Sequence, residues 1–315
     1  MLEPIRPEIE RVERLLHETL ASVEEPLGPT LDRLLDGGKR LRSALVVLTG
    51  QVFGASGAPF HSLAAALDML HAATLIHDDV MDVSPLRRGC ETLHTVWPAR
   101  AAVLAGDYLL GQATALIADL EHPRICKAFA TVLRTMCAGE IRQMLVIRGR
   151  HRCREEYYRS SEAKTASLFA ATTEMAGVLA RAGGPEIAAL QRFGREFGLA
   201  FQIVDDVLDL TGDEAQLGKP AGSDLRQGLL TLPILCYLER AEGDNPVNAV
   251  LSGQRDEEHV RAAIEVVRSS GAIEVALEEA RGHVRQSQGA LATLPDNAAR
   301  HTLCALAGYV VERRH

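Results

Sequence analysis

Aromatic residues are scarce in this chain. Phe, Tyr and Trp make up 4% of its 315 residues, with a single tryptophan. Sheet sandwiches and barrels draw on aromatic and β-branched side chains, so this scarcity, beside abundant Ala and Leu, favours helices. An excess of basic charge is also missing. The 34 Lys+Arg against 42 Asp+Glu leave a formal net charge of −8, which argues against a general nucleic-acid binder while allowing a local basic patch. No run reaches about 18 uninterrupted apolar residues, and the opening Met1 to Leu16 is charged where a secretion signal would be apolar. A cytoplasmic protein without a transmembrane segment is expected. The six cysteines, Cys90, Cys126, Cys137, Cys153, Cys236 and Cys304, are widely and irregularly spaced with no C-x-x-C pair, so neither a zinc site nor a disulfide framework is signalled. With 47% hydrophobic residues and a mean hydropathy of zero, the chain is too apolar to stay disordered and long enough to bury a large core.

Apolar residues recur at three- and four-residue intervals, as in Leu45, Leu48 and Val52 or Leu63, Leu67 and Leu70, the period of a helix with one buried face. Breaks rich in Gly and Pro separate ten or so such stretches. None is a long Pro/Gly/Ser linker, so the spacing predicts one all-α domain spanning residues 1–315, a bundle of ten or more helices. The two longest irregular stretches, residues 83–98 and 212–228, carry more charge and glycine than a connector needs.

Each of these loops follows a copy of one acidic pattern. Asp78-Asp79-Val80-Met81-Asp82 and Asp205-Asp206-Val207-Leu208-Asp209 both read D-D-x-x-D and both end an apolar helical run. At ~100° per residue the first and last Asp of each copy sit one turn apart on one face, where both carboxylates can reach one ion. Without a cation that arrangement is repulsive, by some tenths of a kcal/mol per pair. The donors are all hard oxygens, which suit Mg²⁺ or Mn²⁺ and not zinc. A lone copy is usually a solvated helix face or a cap; two copies, each buried on one side and followed by basic residues, favour a metal site.

Basic groups stand close to the acidic ones. Arg87-Arg88-Gly89 follows the first motif and Gly218-Lys219 the second; Gly37-Gly38-Lys39-Arg40-Leu41-Arg42 opens a predicted helix, and Lys164-Thr165 opens another. Glycines beside cations at helix starts suit phosphate oxygens. Lys39 and Arg42 share a helix face, whereas Arg40 and Arg226 read as ordinary solvated charge. The frame of a P-loop is missing. Two acidic clusters, several cations and apolar helices together describe a pocket for Mg²⁺ and diphosphate, suited to ionising a prenyl diphosphate away from water.

The residues resemble those of the trans (E-type) isoprenyl diphosphate synthases, the polyprenyl synthetase family, over nearly the whole chain. The resemblance is carried by Gly37 to Arg42, Asp78 to Asp82 with Arg87-Arg88-Gly89, Gly106-Asp107, Gly139-Glu140, Lys164-Thr165, Phe201-Gln202 with Asp205 to Asp209, Gly218-Lys219 and Thr231-Leu232-Pro233. It implies an all-α bundle around a deep central cavity, usually a homodimer, which joins isopentenyl diphosphate head-to-tail to an allylic diphosphate. It implies three Mg²⁺ ions bound with diphosphate, ligated by Asp78, Asp82 and Asp205 and supported by Asp79, Asp206 and Asp209. Arg87, Lys164 and Lys219 would hold the allylic diphosphate; Lys39, Arg42, His71 and Arg88 would hold isopentenyl diphosphate. Thr165 and Gln202 would face the developing allylic cation. Arg313-Arg314 would either close over the site or form a solvated end.

Two positions depart from the family pattern. Leu229 stands where a Lys is common, and Ser43 where a Pro is common. Neither removes a metal ligand. In the family the positions four and five before the first Asp form the floor on which the growing chain stops. Here they are the small Thr74 and Ala73, so the resemblance implies a tail running on past Leu70 and Leu67 to a product of geranylgeranyl length or longer, with long-chain products favoured. A terpene cyclase of the same fold would leave the second basic set without a ligand. A non-catalytic partner subunit would not need both acidic motifs.

Overall fold

The structure, a computed structural model, describes residues 3–21, 23–36, 38–87, 89–149, 153–212 and 221–313. It is all-α, as expected. Among the described residues the only β-structure is an antiparallel pair, Leu86–Arg87 with Cys90–Glu91. Contacts sort the chain into two compact units, Met1–Thr131 with Ala171–Gln191 and Leu291–Leu306, and Val132–Ala170 with Arg192–Ala290 and Ala307–His315.

The first unit is built on α1 (Arg6–Ala21), α2 (Leu27–Leu35), α3 (Leu41–Val52), α4 (Ala58–Met81), the short α5 (Leu93–Val96) and α6 (Ala99–Ala118). In α4 every residue from Leu63 to Leu70 is buried. A helix apolar on all sides belongs inside a core, and α4 packs against α1, α3 and α6. Within that stretch the buried charge, Asp68, accepts hydrogen bonds from Ser43 Oγ at 2.8 Å and Arg40 Nη1 at 3.4 Å. Burial drives the Asp68 carboxyl above its ordinary range, against the pull of Arg40. Arg40 is therefore not the solvated charge its neighbours suggested: its side chain is 9% exposed and also binds Glu13 at 3.2 Å. Ser43, where the family commonly has Pro, supplies the donor nearest the Asp68 carboxylate. Helix α6 is long and apolar enough to cross a bilayer by length and composition alone. Its buried stripe, Ala102, Ala105, Leu109, Ala113 and Ile117, lies on the core side of a helix that packs along α4.

The second unit takes most of α7 (Pro123–Gly149), α8 (Arg154–Ser161), a π-helical turn (Glu162–Ala166), the start of α9 (Ser167–Leu179) and the larger part of α10 (Gly184–Thr211). Five further helices follow: α11 (Ser223–Gln227), α12 (Leu232–Leu238), α13 (Pro246–Leu251), α14 (Glu257–Ser269) and α15 (Ala272–Ala290); the last turns of α16 (Ala298–Glu312) belong here too. Asn245 and Asp256 cap α13 and α14 by accepting from the backbone N–H groups of Asn248 and His259, satisfying otherwise orphaned donors. Phe193, Phe197 and Phe201 recur at four-residue intervals along α10, and Phe169 of α9 meets Phe197 at 5.0 Å and Phe201 at 5.4 Å between ring centroids. Each such pair contributes about 0.5–1.5 kcal/mol beyond simple burial. Four of the seven phenylalanines are thus gathered beneath the second acidic motif.

Candidate active site

Each acidic motif closes a long helix, α4 or α10, so the buried turns before it fix where its carboxylates point. In the first motif Asp78 is partly exposed and Asp82, which caps α4, is exposed, while Asp79 between them is buried. This follows from one turn of helix: positions 78 and 82 share a face and 79 is rotated off it. Arg87 Nε donates to Asp79 Oδ1 at 2.8 Å. Burial drives the Asp79 carboxyl upward even against the lowering effect of Arg87. Gly106 of α6 allows the ring of His77 to lie on its backbone; a Cβ there would stand 2.3 Å from His77 Nε2.

The second motif repeats this division at its first two positions but not at its last. Asp205 keeps 46% of its side chain exposed, whereas Asp206 and Asp209 are buried. Asp206 accepts from the Tyr157 hydroxyl at 2.6 Å and from Gln202 Nε2 at 2.8 Å, and Thr165 Oγ1 donates to Gln202 Oε1 at 2.6 Å. Burial, with the neighbouring Asp224 and Asp205 charges, pushes the Asp206 carboxyl well above its ordinary range despite those bonds. Asp209 Oδ2 accepts from the Asp224 N–H at 3.2 Å, tying α11 back to the end of α10.

Lys164 and Thr165 lie in the π-helical turn, a rare conformation that often marks functional positions. Helix α7 serves this turn with adjacent residues. Gly139 leaves room for Ala163, whose Cβ would lie 2.5 Å from a Cβ at 139, and Glu140 pairs with Lys164 Nζ at 2.8 Å. Helix α10 approaches from another side through Gly198, where a Cβ would stand 2.5 Å from Ala166 Cα. Arg195 holds Glu162, the first residue of the turn, at 2.6 Å.

Among the other expected site residues, Lys39 is exposed and Arg42 and His71 are partly so. Arg40, just before α3, has a positive φ of 49°, a backbone state uncommon outside glycine, held by its bonds to Glu13 and Asp68. Leu67 and Leu70 are fully buried on α4, Ala73 is 2% exposed, and Thr74 donates its hydroxyl to the His71 carbonyl. Arg88 and Lys219 lie outside the described residues, as does Arg314. Arg313 turns inward: 6% exposed, it binds Asp205 Oδ1 at 2.7 Å, donates to the Phe201 carbonyl and lies 3.9 Å above the Phe201 ring. Tyr157 carries no motif that would have marked it; only its place two turns before Lys164 hints at a shared face.

The donors that reach solvent, Asp78, Asp82 and Asp205, are all carboxylates. Among the described residues no three His, Cys, Asp or Glu side chains converge as a ready-made metal nest. One or two carboxylates per ion, completed by phosphate oxygens and water, is the donor set of Mg²⁺, and these residues fit it.

Comparison with known proteins agrees with this chemistry. The family model described as polyprenyl synthetase matches residues 24–267. The short chain isoprenyl diphosphate synthase of Methanothermobacter thermautotrophicus is 37% identical, covering 97% of this chain and 94% of its own. The heptaprenyl diphosphate synthase component 2 of Geobacillus stearothermophilus is also 37% identical, over 96% of this chain and 94% of its own. The crystal structure of a polyprenyl synthase from Caulobacter crescentus, complexed with calcium and isoprenyl diphosphate, superposes with a TM-score of 0.92 at 34% identity, covering 100% of this chain and 97% of that one. A match this long leaves one conclusion: the chain belongs to the polyprenyl synthetase family.

Proposed function

We propose that the protein is a Mg²⁺-dependent trans-polyprenyl diphosphate synthase acting as a single catalytic domain. It adds isopentenyl diphosphate head-to-tail to an allylic diphosphate, building a chain of geranylgeranyl length or longer, with long-chain products favoured. The observation that carries this reading is the division between the first and second Asp of each acidic motif. Asp78, Asp82 and Asp205 reach solvent, while Asp79 and Asp206 are turned inward and held by Arg87, Tyr157 and Gln202. A solvated surface cluster would not need its inner members buried and hydrogen-bonded.

In this reading Asp78, Asp82 and Asp205 are the metal ligands. Bound Mg²⁺, three ions by family resemblance, supplies the positive charge that makes diphosphate a good leaving group. Arg87, Lys164 and Lys219 hold the allylic diphosphate; Lys39, Arg42, His71 and Arg88 hold isopentenyl diphosphate. Arg87 and Lys164 each lean on a carboxylate, Asp79 and Glu140, which fixes where their charge is presented. Thr165 and Gln202 face the developing cation, and buried aliphatic side chains exclude water. Small Ala73 and Thr74 let the tail pass toward Leu70 and Leu67. The likeness to both a short-chain and a heptaprenyl enzyme fits a length set by a few such positions.

Assembly as a homodimer is part of the same proposal. It is supported by α6, where Leu104 is 66% and Val103 38% exposed on a helix only one-third buried; a second copy would cover that apolar face. The test is incubation of the purified protein alone with Mg²⁺, labelled isopentenyl diphosphate and farnesyl diphosphate, with products resolved by length. A ladder ending at one polyprenyl diphosphate is the expected outcome. Consumption of farnesyl diphosphate without incorporation would move the protein to a cyclase, and no turnover would make it a subunit needing a partner.

A further inference from the structure

The bonds around Asp206 form a directed series. Tyr157, on α8, is 9% exposed and donates a hydrogen bond from its hydroxyl to Asp206 Oδ2 at 2.6 Å. The other carboxylate oxygen, Oδ1, accepts a hydrogen bond from Gln202 Nε2 at 2.8 Å. An amide has one donor end and one acceptor end. With its NH₂ committed to Asp206, Gln202 must direct its Oε1 the other way, where it accepts from Thr165 Oγ1 at 2.6 Å. Thr165 has a single proton, which this bond uses; only its oxygen lone pairs remain for anything beside it.

We propose that Tyr157 is a positioning residue for the reaction, acting through Asp206 and Gln202 to set the polarity of Thr165. This rests on the synthase reading above. A Thr hydroxyl free to rotate could turn its proton toward a developing cation and oppose it. One whose proton is held by Gln202 presents oxygen, a negative dipole end fixed in advance, and preorganised dipoles of that kind are worth more than ones that must reorient. Asp206 is fully buried and so needs both donors. Without Tyr157 the Asp206 carboxylate keeps only the Gln202 donor and is free to rotate, and the Gln202 amide that bonds it is no longer held in one place. The series also explains why the second Asp of the motif is buried when the first is half-exposed: it faces the amide, not solvent.

Tyr157→Phe keeps the ring and removes the hydroxyl, and with it the bond that starts the series and the contact with Ser161. The expected result is a folded enzyme whose kcat for isopentenyl diphosphate incorporation falls about 10- to 100-fold, the range for groups that orient an active-site residue. KM for either diphosphate stays within about twofold, since Tyr157 acts on neither substrate directly. In a Gln202→Leu background the same change costs no further activity, because the series has lost its output. A readout independent of turnover is the Gln202 side-chain amide, followed by NMR with ¹⁵N-labelled glutamine: slow hydrogen exchange in the wild type, faster in Y157F. An unchanged kcat and amide signal in Y157F, or an equal loss of kcat when Y157F is added to the Gln202→Leu variant, would overturn the role of Tyr157 while leaving the synthase intact. A wild-type protein that incorporates no isopentenyl diphosphate overturns the synthase reading and this role with it.

Discussion

Gly198 is the tightest point between α10 and the π-helical turn, and replacing it by Ala tests how far that contact holds the site together. A Cβ there would stand 2.5 Å from Ala166 Cα, about 0.9 Å inside ordinary contact, and 3.1 Å from Ala166 Cβ and from Phe169 Cδ2. The nearest atom is backbone, so no side chain can swing away; the helices must part. Overpacking of this kind costs about 1–3 kcal/mol, and the helix-propensity gain of Ala over Gly returns about 1 kcal/mol. The balance is a net loss of up to about 2 kcal/mol and a melting temperature lower by up to roughly 5 °C. The functional effect should be larger. Gln202 lies one turn after Gly198 and accepts from Thr165 at 2.6 Å, so a separation near 1 Å breaks that bond, and misplacement on this scale can cost about 10²-fold in rate. Urea unfolding and steady-state incorporation of isopentenyl diphosphate measure both. Gly289→Ala is the control: exposed on α15 with nothing near its Cβ position, it should gain about 0.5–1 kcal/mol. If Gly198→Ala matches that control in stability and the wild type in rate, the close approach does not hold the site.

Other substitutions separate the proposed roles. Ala73→Phe places a bulky ring at a position 2% exposed on α4 and should shorten the polyprenyl product, seen by chromatography of the dephosphorylated alcohols; an unchanged length would dismiss the floor assignment. Asp82→Asn should lower incorporation by at least about 10²-fold while the melting temperature without metal holds or rises, because one like-charge pair on α4 is removed; a stability loss would mark Asp82 as structural. Glu196 sits where burial favours its neutral form, yet His283 and Arg195 outweigh that and its carboxyl lies below the ordinary 4.5. A lowered folded value stabilises above the unfolded one and is lost as pH falls through the folded one. Glu196→Gln should therefore be destabilising at pH 7 and progressively less so below about pH 4.5, by urea unfolding; a deficit that does not shrink on acidification would refute the ion-pair origin.

Much of this architecture was legible in residue patterns because its signals are local. A motif that ends an apolar run announces both a helix and its exposed face, which is why the outward placement of Asp78 and Asp82 follows from spacing, although Asp209 at the matching position of the second copy is buried. Arg40 did not, because nothing in its neighbours reveals Asp68 and Glu13, 28 and 27 residues away. Arg313 was undecided for the same reason: its partners Asp205 and Phe201 are over a hundred residues distant. Stretch 83–98 read as loop, yet it holds a β-pair and the short helix α5, elements too brief for periodicity to register. Tyr157 and the π-turn were invisible, since neither has a composition that differs from an ordinary amphipathic helix.

The π-helical turn carries a consequence for how this segment can change by insertion and deletion. A wider turn is a regular helix with one residue to spare, so removing a residue between Glu162 and Ala166 would let α8 and α9 run on as one unbroken α-helix. The shortened segment should be the better helix by local criteria. It would also rotate Tyr157 by ~100° relative to Phe169, so that the two could no longer face α10 together. Here the irregular backbone is a gear that sets the phase between two faces of one rod, and a deletion that smooths it would trade register for regularity.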